Sequence, residues 1–214
     1  MRWQLAQFFE FRWWKNYLRG KSPNEYLEWK REYWMDFLQS LDLKLDHISY
    51  PAIDIGCGPA GMFMILPGEV TAVDPLLTSY QELPIFNQSS YAKVNFVHSS
   101  FEDFASEKEF NTIFCLNAIN HFIDIEASFG KLAELSTEQG QLIISVDAHN
   151  HGFFRKLFSW VPLDVLHPHQ YTLPEYEAFI EAAGFRIEKK VLSQQRFFFD
   201  YWIIKAQRIS IKCL

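Results

Sequence analysis

Cysteine is scarce in this sequence, and its placement excludes two common kinds of site. The three cysteines, Cys57, Cys115 and Cys213, are an odd number and lie far apart along the chain. A disulfide framework needs paired cysteines, and a Cys-x-x-Cys metal site needs two of them close together. We therefore expect neither, and a reducing, cytoplasmic setting fits the composition best.

Long apolar runs and a surplus of positive charge are also missing. No uninterrupted apolar stretch reaches the length that crosses a bilayer, and the first residues lack the apolar core and cleavage site of a secretory signal. Lysine and arginine number 20 against 26 acidic residues, which gives a formal net charge of -6. Because this charge repels a phosphate backbone, we expect a soluble protein that does not bind nucleic acid.

Internal repeats, low-complexity stretches and linkers are likewise absent from the sequence. With 214 residues, 49% of them hydrophobic, the chain can bury one sizeable core but not two enzyme domains. We expect one domain over residues 46–214, preceded by a helical extension over residues 1–45.

Aromatic residues are abundant near the start of the chain. Residues 3–18 follow a pattern closer to helical than to alternating, and Gly20 with the Ser22-Pro23 pair ends this stretch. Ser22 is well placed to cap a second helix that runs to about Leu41. In that helix the apolar residues recur every three or four positions and form one stripe: Tyr26, Trp29, Tyr33, Trp34, Phe37 and Leu38.

From Pro51 onward, short apolar runs alternate with longer helical stretches, a pattern typical of βαβ units and a mostly parallel sheet. The predicted strands cover residues 52–55, 70–73, 95–97, 112–116 and 141–146. Helices are predicted over residues 124–135, with a turn at Gln139-Gly140, and over residues 173–183, stopped by Gly184. Residues 186–192 and 197–206 are joined too closely for a parallel crossover, so we expect an antiparallel hairpin.

The sharpest local signal is a glycine-rich turn after the first predicted strand. Gly56, Gly58 and Gly61 have the G-x-G-x-x-G spacing, in which missing side chains let a ligand approach the backbone and a following helix pack closely. Asp74 closes the next strand, where a carboxylate can bind both hydroxyls of a ribose. The alternative is an ordinary strand-to-helix turn, with Asp74 capping a helix.

The same spacing would serve a nicotinamide-dependent oxidoreductase, so the neighbouring charge matters. Asp54 stands just before the first glycine, where its carboxylate would repel a pyrophosphate but attract an ammonium group. We also expect no separate substrate domain for a nicotinamide enzyme after the sheet. Both observations favour S-adenosylmethionine over a dinucleotide.

On these residues, the chain resembles the class I S-adenosylmethionine-dependent methyltransferases over residues 51–207. The resemblance implies an α/β, Rossmann-like, doubly wound sheet of seven mostly parallel strands with the last strand antiparallel. It implies that the first motif, Asp54, Gly56, Cys57, Gly58 and Gly61, contacts the methionine part of the cofactor. It also implies that Asp74, beside Pro75, binds the ribose.

For the adenine, the family commonly has an acidic residue after the third strand. This chain has Ser100 at that position, so Ser100, the Phe101 backbone and Glu102 are the candidate contacts. The segment that follows the fourth strand resembles the family motif there, and the resemblance places Asn117 and His121 beside the cofactor.

Transfer to a hydroxyl or a protonated amine needs a base that removes a proton, and imidazole is suited to neutral pH. His121, His149 and His169 are the candidates at the expected mouth of the site. Asp147, His149 and His151 alternate along one extended segment and could instead converge on a metal ion. We predict no metal and interpret these residues as solvated, mutually paired or lining the acceptor pocket.

The aromatic helices have no place in the minimal sheet, so we expect them to form a lid over the strand ends. An apolar pocket beneath them would suit a small aromatic or lipid-like acceptor, methylated on oxygen or nitrogen. The same helices could instead pack against the sheet edge, contact a partner subunit in a homodimer, or lie on a membrane surface. A non-catalytic S-adenosylmethionine-binding module is a further alternative function.

Overall fold

The computed structural model describes residues 2–150 and 171–209, with side chains from residue 7 onward. The α-helices are α1 (Arg2–Tyr17), α2 (Pro23–Ser40), α3 (Leu77–Tyr80), α4 (Ile125–Glu134) and α5 (Leu173–Ala182). The strands are β1 (Ala52–Ile55), β2 (Val70–Val73), β3 (Val94–Val97), β4 (Phe110–Leu116), β5 (Ser136–His149), β6 (Phe185–Gln194) and β7 (Phe199–Arg208). Single turns of 3-10 helix lie at Leu45–His47, Met62–Met64, Gln88–Ser90 and Ile119–His121.

The seven strands form one sheet in the order β3-β2-β1-β4-β5-β7-β6. The pairs from β3 through β5 are parallel, whereas β7 runs antiparallel to both β5 and β6. This arrangement confirms the predicted fold class and the predicted hairpin. The order reverses at β1, which places the carboxyl ends of β1, β2 and β4 around a shared crevice.

Successive side chains of the central strands point to opposite faces of the sheet and belong to two apolar clusters, one on each face. In β4, Ile113 and Cys115 belong to the cluster that includes α4 and α5, whereas Phe114 belongs to the other cluster. The α4 and α5 side chains on their face include Phe129 and Tyr176, both buried. Burial on both faces explains why these strands consist of nearly continuous apolar residues.

The second face of the sheet is covered by α2. Its Trp34, Phe37 and Leu38 are buried in the same cluster as Phe114 of β4 and Ile143 of β5. The sequence predicted that both N-terminal helices lie over the strand ends. In the structure, α2 packs in the core of the domain instead. A lid role for α1 and the division at residue 45 stay predictions.

Two local expectations are wrong. The glycine turn leads into the single 3-10 turn Met62–Met64 instead of an α-helix, because only eight residues separate Gly61 from β2 and two of them are Pro67 and Gly68. The turn at Gln139-Gly140 is absent, because β5 already begins at Ser136 and pairs with Phe110 across a register shift.

Two of the candidate histidines, His151 and His169, lie outside the described residues. Among the helices that the structure does describe, none combines the length and the apolar character that crossing a bilayer requires.

Candidate active site

The glycine turn adopts a backbone that only glycine accommodates well. Gly56 and Gly58 have φ angles of 63° and 60°, in the left-handed region that disfavours other residues. A Cβ atom added to Gly56 would lie 2.5 Å from the Cβ of Ala118, and one added to Gly61 would lie 2.5 Å from Oδ2 of Asp54. All three motif glycines therefore have a local structural reason to lack a side chain.

Asp54 is buried beneath this turn. Its Oδ2 accepts a hydrogen bond from the backbone N–H of Phe63 at 3.0 Å, which ties the 3-10 turn to the end of β1. Burial raises the pKa of Asp54 to about 7, although the hydrogen bond opposes the shift. The site therefore holds a carboxyl group that a nearby positive charge would ionise.

Asp74, at the end of β2, links the glycine turn to the neighbouring strand. Its two oxygens accept hydrogen bonds from the N–H of Gly58 at 2.9 Å and of Leu76 at 2.8 Å. Burial, and then the charge of Glu10, raise the pKa of Asp74 to about 7. Because each carboxylate oxygen can accept a second hydrogen bond, these contacts leave capacity for a ligand hydroxyl.

Helix α1 lies above the glycine turn and brings Glu10 toward Asp74. Tyr80 donates a hydrogen bond to Oε1 of Glu10 at 3.2 Å, and burial raises the pKa of Glu10. The ring of Trp14 lies 3.9 Å from the position of a Cβ added to Gly58. Glu10 was not among the predicted site residues, although it is the one acidic residue within α1.

Helix α2 contributes a second layer over the same turn. The indole N–H of Trp34 donates a hydrogen bond to the carbonyl oxygen of Ala60 at 3.0 Å. The amine of Lys30 lies 4.2 Å from the ring centroid of Trp34 and 4.3 Å from that of Tyr33. Burial lowers the pKa of Lys30 to about 8, and the charge of Asp54 partly offsets the shift. Tyr33 and Trp34 were predicted only as part of a packing stripe, and Lys30 was not predicted.

Hydroxyl groups gather at the adjoining end of β5. Tyr201 donates a hydrogen bond to Oγ of Ser145 at 2.6 Å, and Tyr33 is hydrogen-bonded to Tyr201. The backbone N–H of Asn117 donates to the same Oγ at 3.0 Å, and Asn117 itself has a positive φ of 54°. Lys30, Tyr33, Tyr201 and Ser145 are therefore connected through contacts, and we call them the polar wall.

The candidate adenine contacts lie after β3, next to the loop that follows β4. Ser100 donates a hydrogen bond to Oδ2 of Asp103 at 2.8 Å, and the Phe101 ring stacks on Phe122 at 4.9 Å. Oε1 of Glu102 accepts from the N–H of Ile123 at 2.8 Å. The structure thus brings Phe101 and Glu102 against the segment that contains His121.

The candidate histidines occupy different environments. His121 is the exposed last residue of the 3-10 turn after β4, whose other two residues are buried, whereas His149 is buried at the end of β5. The His149 ring lies 4.2 Å from that of Phe199, and its backbone N–H donates to the carbonyl of Tyr171 at 2.9 Å. Within residues 2–150 and 171–209, no three histidine, cysteine or acidic side chains are grouped as a metal site would require.

Two features of the described residues fit the binding of S-adenosylmethionine. At Gly58 an added Cβ would meet only the ring of Trp14 within 4 Å, so beyond the neighbours in sequence no other backbone crowds this side of the glycine turn. Carboxyl groups capable of binding a ribose and an ammonium group, those of Asp74 and Asp54, stand on either side of this turn. The sheet order and this crevice define the fold of the class I S-adenosylmethionine-dependent methyltransferases.

A family model for the methyltransferase domain matches residues 26–190, which is more than half of the chain. The chain therefore belongs to this family of S-adenosylmethionine-dependent methyltransferases. The match begins within α2, so the family's domain includes the helix that covers the second face of the sheet.

Individual relatives are distant. The ubiquinone biosynthesis O-methyltransferase of Rickettsia akari is 25% identical over 130 residues, which cover 56% of this chain and 51% of the relative. This chain spans about half the length of the first curated relatives it matches. Their names alone do not fix the acceptor of this protein.

Solved structures share the fold. The 1,6-didemethyltoxoflavin-N1-methyltransferase of Burkholderia thailandensis, crystallised with its substrate and S-adenosylhomocysteine, has a TM-score of 0.63 and 15% identity, covering 96% of this chain and 88% of that one. The magnesium protoporphyrin IX methyltransferase of Synechocystis, with S-adenosylhomocysteine bound, has a TM-score of 0.59 and 19% identity, covering 83% and 81%.

Proposed function

We propose that this protein transfers the methyl group of S-adenosylmethionine to an oxygen or nitrogen atom of a small aromatic or lipid-like molecule. The polar wall is the observation that supports an oxygen or nitrogen atom as the methyl acceptor. The hydroxyl groups and the amine of Lys30 can exchange hydrogen bonds with an acceptor. An oxygen or nitrogen acceptor has the lone pairs and the O–H or N–H groups that such hydrogen bonds require.

The residues that would hold the cofactor are those that the resemblance to the family implies. Asp74 would bind the ribose hydroxyls, Asp54 would face the ammonium group, and the backbone of Gly56, Cys57, Gly58 and Gly61 would contact the methionine part. The candidates for the adenosine are Pro75, Ser100, Phe101, Glu102, Asn117 and His121. When bound, the cofactor supplies a methyl group on positively charged sulfur, which is electrophilic without further activation.

The protein's own chemical task is to orient the acceptor, exclude water and remove a proton. We assign the proton to His121 first, with His149 and His169 as the next candidates. His121 follows β4, the strand beside β1, and its exposed position lets the proton pass on to solvent.

The acceptor class has support from the relatives and from the aromatic residues near the site. The Rickettsia akari relative is named an O-methyltransferase of ubiquinone biosynthesis, and the Burkholderia thailandensis enzyme methylates nitrogen. In this chain the polar wall itself contains the aromatic rings of Tyr33 and Tyr201, and the ring of Trp34 lies beside its Lys30. Such rings suit a flat acceptor.

A direct experiment incubates the purified protein with S-adenosylmethionine labelled in its methyl group and a panel of catechols, phenols and aromatic amines. We expect label in an O-methyl or N-methyl product, identified by mass spectrometry. Cofactor binding without transfer to any acceptor, including those in a cell extract, would favour a non-catalytic binding module. Reduction of a substrate by NADH would favour the oxidoreductase that the charge of Asp54 opposes.

A further inference from the structure

Helix α1 has two faces of different chemistry. One face packs on the domain through Trp14 and Leu18, and it carries Glu10 toward Tyr80. At about 100° per residue, Phe8, Phe9 and Trp13 fall within one arc on the opposite face. Their exposed fractions are 57%, 48% and 53%, so three large aromatic side chains face solvent together. Scattered apolar residues are normal on a surface, but an aromatic arc on one helix is a candidate contact surface.

The charges on and just after α1 are almost all positive. Arg12 lies between Phe8 and Phe9 in angular position, and the exposed Arg19 follows just beyond the end of the helix, whereas Lys15 is ion-paired with Glu82 of the domain at 2.6 Å. The one acidic residue of α1, Glu10, belongs to the inner face. The whole chain has a net charge of -6, so this surface differs in sign from the rest of the molecule.

We infer that the outer face of α1, formed by Phe8, Phe9, Arg12 and Trp13, binds the surface of an anionic lipid bilayer together with Arg19, which follows the helix. Aromatic rings bury their area at the boundary between headgroups and acyl chains, while the arginines keep their charges at the phosphates. A second copy of this chain is a poorer occupant, because two such faces would bring like charges together. The inference is independent of the proposed acceptor.

This contact would hold the candidate active site close to the bilayer. The inner face of the same helix places Trp14 over Gly58 and Glu10 near Asp74. A bilayer bound on the outer face therefore lies one helix diameter, about 10 Å, from the glycine turn. A lipid-like acceptor could reach the site from that bilayer without crossing bulk water.

The test is sedimentation of the full chain with vesicles of phosphatidylcholine alone and of phosphatidylcholine with 30% phosphatidylglycerol, a composition of about one anionic lipid in three. We expect binding to the anionic vesicles, weakened by added salt. The variant Phe8→Ser/Phe9→Ser/Trp13→Ser should bind at least about tenfold more weakly, because it removes the apolar contact. Arg12→Gln/Arg19→Gln should also lose affinity and most of the salt dependence.

The matched control is Met35→Ser/Leu192→Ser/Ile209→Ser, which removes three exposed apolar side chains outside α1 and should bind like the wild type. Affinity for S-adenosylhomocysteine, measured on every variant, shows that the fold persists. Wild-type binding that is absent, or equal for both vesicles, would overturn the inference, as would an aromatic variant that binds normally. A concentration-dependent dimer lost in that variant would assign the face to a second copy instead.

Discussion

Two buried carboxyl groups give the site a defined dependence on pH. Burial raises the pKa of both Asp54 and Asp74 to about 7. A positively charged ligand favours their ionised forms, so its binding releases protons when the pH is below that value. We expect cofactor affinity to rise between about pH 6 and pH 8, with proton release visible by calorimetry in buffers of different ionisation enthalpy.

The same raised pKa values have the opposite effect on stability, which decreases as the pH rises. Each folded pKa lies above the ordinary value of 3.8, so the folded protein binds more protons between pH 3.8 and about 7. The contribution of these groups to the free energy of unfolding therefore falls as pH rises through that window. Asp74→Asn should flatten the fall in the ligand-free protein, whereas Asp36→Asn, an exposed change, should not. Equal slopes in all three proteins would contradict this reading.

Gly56 and Gly130 offer a matched pair of substitutions. Gly56→Ala forces a Cβ against Ala118 at a positive φ, so we expect a loss of about 2 kcal/mol or more in stability and loss of cofactor binding. Gly130 lies inside α4, with nothing within 4 Å of an added Cβ, so Gly130→Ala should stabilise by about 0.5–1 kcal/mol. Thermal unfolding checks both, and a tolerated Gly56→Ala would refute the close approach.

His121 tests the proposed route of the proton. A His121→Ala variant should bind S-adenosylhomocysteine with little change but lose roughly a hundredfold in turnover, the usual size of a general-base contribution. Single-turnover kinetics separates the two effects. Full activity in this variant would leave His121 without a chemical role, and a similar loss caused by chelators in the wild type would indicate a metal.

The site residues that lie close together in the sequence could be predicted, whereas those brought to the site from distant parts of the chain could not. Asp54 and the glycines are adjacent in the chain, and Asp74 follows at a characteristic distance. Tyr80 and Glu10 are separated by 70 residues, and the contacts of Lys30 depend on how α2 packs. The one available signal for Glu10 was its isolation among cations in an aromatic helix.

At the scale of elements, the position of α2 is the main finding that the sequence did not supply. Its apolar stripe correctly predicted a buried face, but periodicity cannot tell which surface that face meets. The short segment between Gly61 and β2 has room for one 3-10 turn, and α3 on that face of the sheet has only four residues. The aromatic stripe of α2 covers that face.

Stability measurements test this position of α2. Leu38 is buried in the cluster shared with the sheet, so Leu38→Ala should cost about 2–5 kcal/mol. Its exposed neighbour is the control, and Gln39→Ala should change stability by no more than about 0.5 kcal/mol. Denaturant unfolding gives both values. A small effect of Leu38→Ala would show that α2 is only loosely attached.

At the scale of the whole molecule, the alternation of strands and helices predicted the sheet well because each parallel strand is a short run buried on both faces. The predicted strand β3 and the hairpin β6–β7 each shift by one or two residues, as strand ends do when neighbours extend the pairing. The acceptor is harder to predict, because the proposed polar wall combines side chains of α2, β5 and β7, which are far apart in the sequence.

The central claim is that the glycine turn and Asp74 form a site for S-adenosylmethionine. Calorimetric titration of the full chain with S-adenosylhomocysteine, and separately with NADH, tests it most directly. We expect a dissociation constant on the order of micromolar for the first and no binding of the second, with Asp74→Asn weakening the first about tenfold because charge-assisted hydrogen bonds are lost. Tighter binding of NADH, or unchanged binding of S-adenosylhomocysteine to Asp74→Asn, would contradict the account.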